Sequence, residues 1–306
     1  MEHKSYFDDF LNDVVNIDQG RLDSLETSIS AIQDCIVGSD YDTKVRFFRK
    51  QGSLAHNTII RPLAGKEFDA DIVMVVAENS DWEPKDYLLD LRRVLKNNAT
   101  YKDKAHLSDV CVTLNYARDK KIDILPIFEA SNEDNAHHIC HHRHNEFLRS
   151  EPLEFTNWLV DRNKLSGGNS FRKVTRIMKY IRSLKTSFTC PSVLLTALIG
   201  YRITDNDKDS DAFSSVPKTF VTVLERLNAY VGTYDDVPEV MSIADYIYIV
   251  AEKKIIGQGT PDQIRQDSSP LVQQFIQGEA DGAVPFHYEA PAYSDELIKI
   301  SSKRVN

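Results

Sequence analysis

Several features are scarce in this 306-residue chain, and each scarcity removes a class of protein. The four cysteines, Cys35, Cys111, Cys140 and Cys190, lie far apart and form no CxxC pair, which argues against a disulfide framework or a zinc ribbon. No apolar run approaches the roughly 18 residues of a membrane span. The opening MEHKSYFDDF is charged where a secretory leader would be apolar, so a cytoplasmic protein with no membrane partner is expected. Positive charge is short too: 37 Lys and Arg face 46 Asp and Glu, a net charge of −9. That balance disfavours a general nucleic-acid coat or a long nucleic-acid partner. What remains, 42% hydrophobic and 27% charged residues, is ordinary globular composition with room for one large core or two smaller ones.

Acids are missing from one stretch of this acidic chain. Between Arg162 and Ile203 there is no Asp or Glu but there are nine Lys and Arg residues. Within it, Phe171, Val174, Ile177, Met178, Ile181 and Leu184 recur at helical spacing and predict a buried face. Arg172, Lys173, Arg176, Lys179 and Arg182 are left elsewhere on the circumference. An acid-free basic helix favours phosphate over a merely solvated face.

The chemistry is carried by QGSLAHNTIIRPLAGKEFDADIVMVV, residues 51 to 76. A strand over 44–50 runs into Gly52-Ser53, and a second strand opens with Asp69-Ala70-Asp71. Side chains on a strand alternate faces, so Asp69 and Asp71 point the same way. Two carboxylates held together repel unless a cation lies between them. Magnesium, which usually arrives with a substrate phosphate as co-ligand, suits such a pair. Further on, helix 84–97 is followed by strands over 109–116 and 121–128, and in the second of these Asp123 stands between Ile122 and Ile124, facing away from both. It supplies a third carboxylate.

Upstream, residues 5–37 read as amphipathic helix ended by Gly38. Between the halves lies HHICHHRH, residues 137–144. Its ligand types suit zinc, but adjacent histidines cannot all face one ion, and a surface loop near the cleft is expected.

The order GS, DAD and a later Asp, in the words QGSLAHNTIIRP, FDADIVMVV and KIDILP, resembles the polymerase-β-type nucleotidyltransferases. More narrowly, it resembles the bacterial cGAS/DncV-like nucleotidyltransferases, which make cyclic oligonucleotide signals in anti-phage defence. SFRKVTRIMKYIRSLK, CPSVLLTALIGYRI and VPKTFVTVLERLNAYV resemble that group's helical lobe, so the likeness covers residues 1 to 232. It implies an α+β bilobal fold: a mixed-sheet catalytic lobe (1–150) and a helical lobe (151–235).

It also implies that Asp69, Asp71 and Asp123 hold two magnesium ions, or manganese in their place. Gly52, Ser53, Lys179 and Ser192 would bind the triphosphate, Ser192 from the start of a helix opened by Pro191. Nucleoside triphosphates would be the substrates, and a downstream effector would respond to the cyclic product. Transfer of one nucleotide to RNA, a protein or a small molecule is the alternative within the superfamily.

Residues 236–306 read differently. DVPEVMSIADYIYIVAEKKIIGQGTPDQI and PLVQQFIQGEADGAVPFHYEAPAYSDELI resemble the end of the ATPase subunit of the bacterial Mla lipid-transport system, over about 236–298. No GxxxxGK[ST] phosphate loop occurs in the chain, so ATP hydrolysis in the transporter's manner is not expected. A strand pair (246–250, 254–257) and a helix over 261–277 are expected there. The wording suits a fusion, a frameshift or a chimera, and implies a helical lobe cut short, with product formation at risk. A non-catalytic partner of the lipid transporter is the reading from another class.

Overall fold

The computed structural model describes residues 3–116, 120–129, 137–150, 152–185, 190–231, 247–251 and 254–277. Contacts divide the chain into two compact units, Met1–Leu227 and Asn228–Asn306.

In the first unit, α1 (Lys4–Phe10) continues as one π-helical turn, Leu11–Val15, and α2 (Gln19–Val37) follows. The stretch expected as helix over 5–37 is thus broken at Asn16–Asp18. Asp18 starts α2 by accepting a hydrogen bond from the Arg21 N–H at 2.9 Å, and Gly38 caps its end. Two strands follow in chain order, each with a helix after it: β1 (Val45–Gln51), the single turn α3 (Gly52–Ala55), β2 (Phe68–Val76) and α4 (Pro84–Asn97). Then come β3 (Ala105–Leu107), β4 (Val112–Tyr116), β5 (Lys120–Glu129), β6 (His137–His141) and β7 (Glu146–Arg149). The strand expected over 109–116 starts at Val112, and β3, too short to show alternation, is additional.

The sheet order is β1-β2-β5-β4-β3, with β6 and β7 added beyond the far end of β5. Among the described strands of this sheet, only β2 and β5 pair in parallel. One sheet face, with Ala70, Ile72, Met74, Ile122 and Ile124, packs on Leu25, Ile29, Ile32 and Ile36 of α2 and on Leu88 and Leu91 of α4. The 3.6-residue spacing of those helix positions explains why both helices lie on this face. A reciprocal cap sets the start of α4. The Glu83 N–H donates to Asp86 at 2.8 Å, and Pro84 occupies the first turn.

The HHICHHRH stretch is a correction. Only its last three residues lie in a turn: residues 137–141 are β6, zipped between β5 and β7, with Cys140 buried. The His138 ring stacks on Phe128 at 5.5 Å, and the Nδ1 of His141 accepts from the His144 N–H at 3.3 Å.

The helical half comprises α5 (Pro152–Leu165), α6 (Ser170–Leu184), α7 (Ser192–Tyr201) and α8 (Val216–Val231). Their core holds Leu159, Phe171, Val174, Ile177, Leu195, Ile199 and Val223, and takes in Leu11 and Val15 from the N-terminal segment. Leu184, expected in the buried face of α6, is 55% exposed. Lys179, expected outside that face, is only 6% exposed. Two short 3-10 turns, Asp205–Asp207 and Asp211–Phe213, lie in the stretch before α8.

In the second unit, β8 (Ile247–Ala251) and β9 (Lys254–Gly259) pair antiparallel, and Ile249, Ile264 and Val272 form a small core. The single helix expected over 261–277 is two, Pro261–Gln266 and Pro270–Gln277. The junction wording before 247 and the arm after 277 fall outside the described residues.

Gly200 shows how closely α7 approaches α5. A Cβ there would stand 2.6 Å from Cη2 of Trp158. Although alanine is the better helix former, Gly200→Ala is expected to lower stability by about 1–3 kcal/mol through overpacking. The check is thermal or denaturant unfolding; an unchanged midpoint would refute it.

Candidate active site

Strand register gathers the site. Asp71 of β2 and Asp123 of β5 are direct partners across the parallel pair, about 4.8 Å apart in the pairing direction. Asp69 precedes Asp71 by two residues and shares its face. These three lie opposite the face that packs on α2 and α4, on the side where Val73, Val75 and Ile127 form a smaller cluster.

On the other side of β2, Gln51 pairs with Asp71, and the chain turns at once into Gly52. Gly52 has φ +60°, a left-handed conformation that favours glycine. A Cβ at this position would lie 2.2 Å from Asp71 Oδ2. The turn backbone is therefore pressed against the carboxylate, and no side chain fits between them.

The carboxylates are under strain of charge. Burial chiefly, then the neighbouring Asp123 and Asp69, push the Asp71 pKa up to about 6. Asp123 is steadied by the Thr113 hydroxyl, which donates at 2.5 Å, and by the Lys121 ammonium at 3.1 Å. Among the described residues no three His, Cys, Asp or Glu side chains already stand as a closed ligand set. The donor set nonetheless fits a hard divalent cation: three carboxylates share one face, and Asp71 is held above the usual carboxylate range by burial first and by the other two second.

Opposite stands Lys179 of α6, its Nζ donating to the Thr58 carbonyl at 2.9 Å. Burial and the nearby Arg182 lower its pKa to about 8, against the pull of Asp71. A cavity of about 300 Å³ is lined by Gly52, Ser53, Asp69, Asp71, Asp123, Lys179 and Ser192. All seven residues singled out in the sequence thus meet in one place. Ser192 is the first residue of α7, after Pro191 at its N-cap.

His56, Thr58, Phe155 and Thr196 also line this cavity, and sequence reasoning did not single them out. His56 is 6% exposed, its Nε2 lies 3.0 Å from Thr156 Oγ1, and its ring meets Phe155 edge-on. Burial, Lys179 and Arg172 hold its pKa down at about 4, so it is neutral at physiological pH. Gln51 Nε2 donates to the Pro152 carbonyl at 3.0 Å. The Gly52 turn is in this way tied to the start of α5. The one sequence signal for His56 is its place one helical turn after Gly52.

The raised Asp71 pKa has a sign that can be checked. The folded protein keeps this proton up to about pH 6, whereas the unfolded chain releases it near 3.8. Metal-free stability should therefore fall as pH rises from about 4 to about 6. Asp71→Asn is expected to be more stable than the parent at about pH 7.5 by on the order of 3 kcal/mol, and no more stable at about pH 4. Added magnesium should raise the melting temperature of the parent more than that of the variant. A stability difference independent of pH would contradict this. Gly52→Ala is expected to leave the circular dichroism spectrum intact while abolishing this magnesium response.

Comparison with known proteins adds four findings. Residues 1–163 match the model of the Second Messenger Oligonucleotide or Dinucleotide Synthetase domain. Among curated proteins, a c-di-GMP synthase of Roseivirga ehrenbergii is 30% identical over 117 residues, 36% of this chain and 30% of that protein. The phospholipid-transport ATP-binding protein MlaF of Haemophilus influenzae is 50% identical over 64 residues, 21% of this chain and 24% of that protein. The chain thus spans less than a third of the length of either relative. Among solved structures, the Bradyrhizobium diazoefficiens CD-NTase CdnG, in complex with GTP, superposes with a TM-score of 0.57 at 18% identity. The match covers 72% of this chain and 74% of that one, and supports the mixed-sheet, polymerase-β-like fold. By the domain model that takes in more than half of its residues, the chain belongs to the second messenger oligonucleotide or dinucleotide synthetase family of nucleotidyltransferases.

Proposed function

We propose that this chain joins nucleoside triphosphates into a cyclic di- or trinucleotide second messenger, with magnesium, in anti-phage signalling. The observation that carries the reading is the convergence in one cavity of three carboxylates, a glycine turn pressed on one of them, and Ser53, Lys179 and Ser192. The GTP complex of CdnG and the c-di-GMP synthase relative favour nucleotide substrates of this kind.

Bound divalent cations would neutralise the triphosphate and lower the pKa of the attacking ribose hydroxyl. Asp69 and Asp71 would hold them beside the α-phosphate, and Asp123 would serve the acceptor side. The chain's own part is positioning. Gly52 lets the turn backbone come close, the Ser53 and Ser192 hydroxyls donate to phosphate oxygens, and Lys179 exchanges the Thr58 carbonyl for phosphate. An acceptor hydroxyl oxygen, giving up its proton to solvent, then bonds to the α-phosphorus, the bond to the β-phosphate breaks, and pyrophosphate leaves with the electron pair. One more round closes a dinucleotide ring, and two more a trinucleotide ring.

The test is incubation with all four nucleoside triphosphates and magnesium, then phosphatase, with the product identified by mass. A phosphatase-resistant cyclic product is expected from the parent and none from the Asp69→Ala, Asp71→Ala double variant. A product formed only when RNA, protein or a small molecule is added would replace this reading with transfer to that acceptor.

A further inference from the structure

The three carboxylates do not stand alike. Among the described residues Asp69 and Asp71 make no hydrogen bond or ion pair, whereas both oxygens of Asp123 are engaged. The Thr113 hydroxyl donates to Oδ1 at 2.5 Å, and the Lys121 ammonium stands 3.1 Å from Oδ2. Register puts both there. Thr113 is the direct partner of Asp123 across β4 and β5. Lys121, two residues before Asp123 on β5, shares its face and is paired with Asp69 of β2. The site face thus carries a two-by-two array of Asp69, Asp71, Asp123 and one lysine.

The two partners of Asp123 differ in how readily they can leave. Thr113 is buried, and its Oγ1 lies 3.4 Å from Ser108 Oγ and 3.7 Å from Cys111 Sγ, so it holds Oδ1 from a packed position. Lys121 carries its ammonium on a flexible four-carbon stem, and its side chain is 31% exposed. It does not line the cavity that Asp123 lines. It can therefore withdraw to solvent and leave Oδ2 open, while Thr113 keeps the carboxylate in place.

We propose that Lys121 is a resident counter-ion of the substrate-free site, a positioning residue that occupies Asp123 Oδ2 and yields it when a divalent cation enters with the nucleotide. The inference rests on the nucleotidyltransferase reading and adds a regulation to it: metal loading at Asp123 depends on substrate. Three carboxylates without a cation repel one another, and the lysine supplies positive charge while the site is empty. The same charge opposes a divalent cation that arrives alone, because two cations then crowd one carboxylate. A triphosphate reverses the balance. Its oxygens join the carboxylates as ligands, and its negative charge outweighs that of one lysine. Asp69 and Asp71, which have no such partner, carry no such condition.

The test measures manganese binding to the full chain by titration calorimetry, first without nucleotide and then with a non-hydrolysable nucleoside triphosphate. The melting temperature of the metal-free protein is read alongside. Lys121→Met is expected to bind manganese without nucleotide about tenfold tighter than the parent, the order of removing one nearby like charge, and to melt lower than the parent without metal. The triphosphate should tighten manganese binding more in the parent than in Lys121→Met. Lys121→Arg should behave as the parent. Lys120→Met removes the same charge from the opposite face of β5, where the ammonium meets Ser28 Oγ at 2.6 Å, and should leave manganese affinity unchanged. Lys121→Gln, neutral but able to donate to Asp123, decides the matter if Lys121→Met fails to fold, with the same tightening expected. Unchanged or weaker manganese binding in the neutral variants, or equal tightening in Lys120→Met, would overturn the proposal. A parent protein that binds neither manganese nor triphosphate when offered both would overturn the nucleotidyltransferase reading, and the proposal with it.

Discussion

Repulsion among three carboxylates is the constraint around which the catalytic half is built. Asp69, Asp71 and Asp123 share one sheet face because β2 and β5 run parallel and in register. The same sheet buries the other face against α2 and α4, so the carboxylates cannot turn away without exposing the core. The energy stored in that arrangement is released only when positive charge arrives. Thr113 and Lys121 relieve part of it at Asp123, and at Asp71 it adds to burial in raising the pKa.

Gly52 is the second element of this constraint. Its backbone occupies the space where a side chain would separate the turn from Asp71. Gln51, His56 and Thr156 then fasten that turn to α5, so ligands drawn from the sheet and from the helices stay within one cavity. The site is local in its carboxylates and long-range in its cations.

That division explains what could be read from the sequence. Alternation along FDADIVMVV and KIDILP is a local property, and it places the three aspartates on one face without any knowledge of the fold. The buried stripe of α6 is equally legible from its spacing, and 84–97 reads as helix from its sequence, whereas α7 is implied by the family resemblance. Lys179 was assigned to the site by family resemblance but to the wrong surface of its helix. Its burial comes from the Thr58 carbonyl, 121 residues away in the chain, and no periodicity reports that. HHICHHRH looked like a loop because its composition is polar, whereas pairing with β5 and β7 makes 137–141 strand. The break in 261–277 was available in Asp267-Ser268-Ser269-Pro270, since a residue before proline resists the helical conformation.

The N-terminal segment belongs to two cores at once. Leu11 and Val15 complete the helical core, while Leu25, Ile29, Ile32 and Ile36 complete the sheet core. Between them the Asn16–Ile60 bridge and Arg61 fasten the segment to the stretch between α3 and β2. Neither core can melt without baring apolar surface on a segment that the other also needs. Met1–Leu227 should accordingly unfold as one cooperative transition, and the spacing between its sheet and its helices is inherited from fewer than forty residues at the start of the chain.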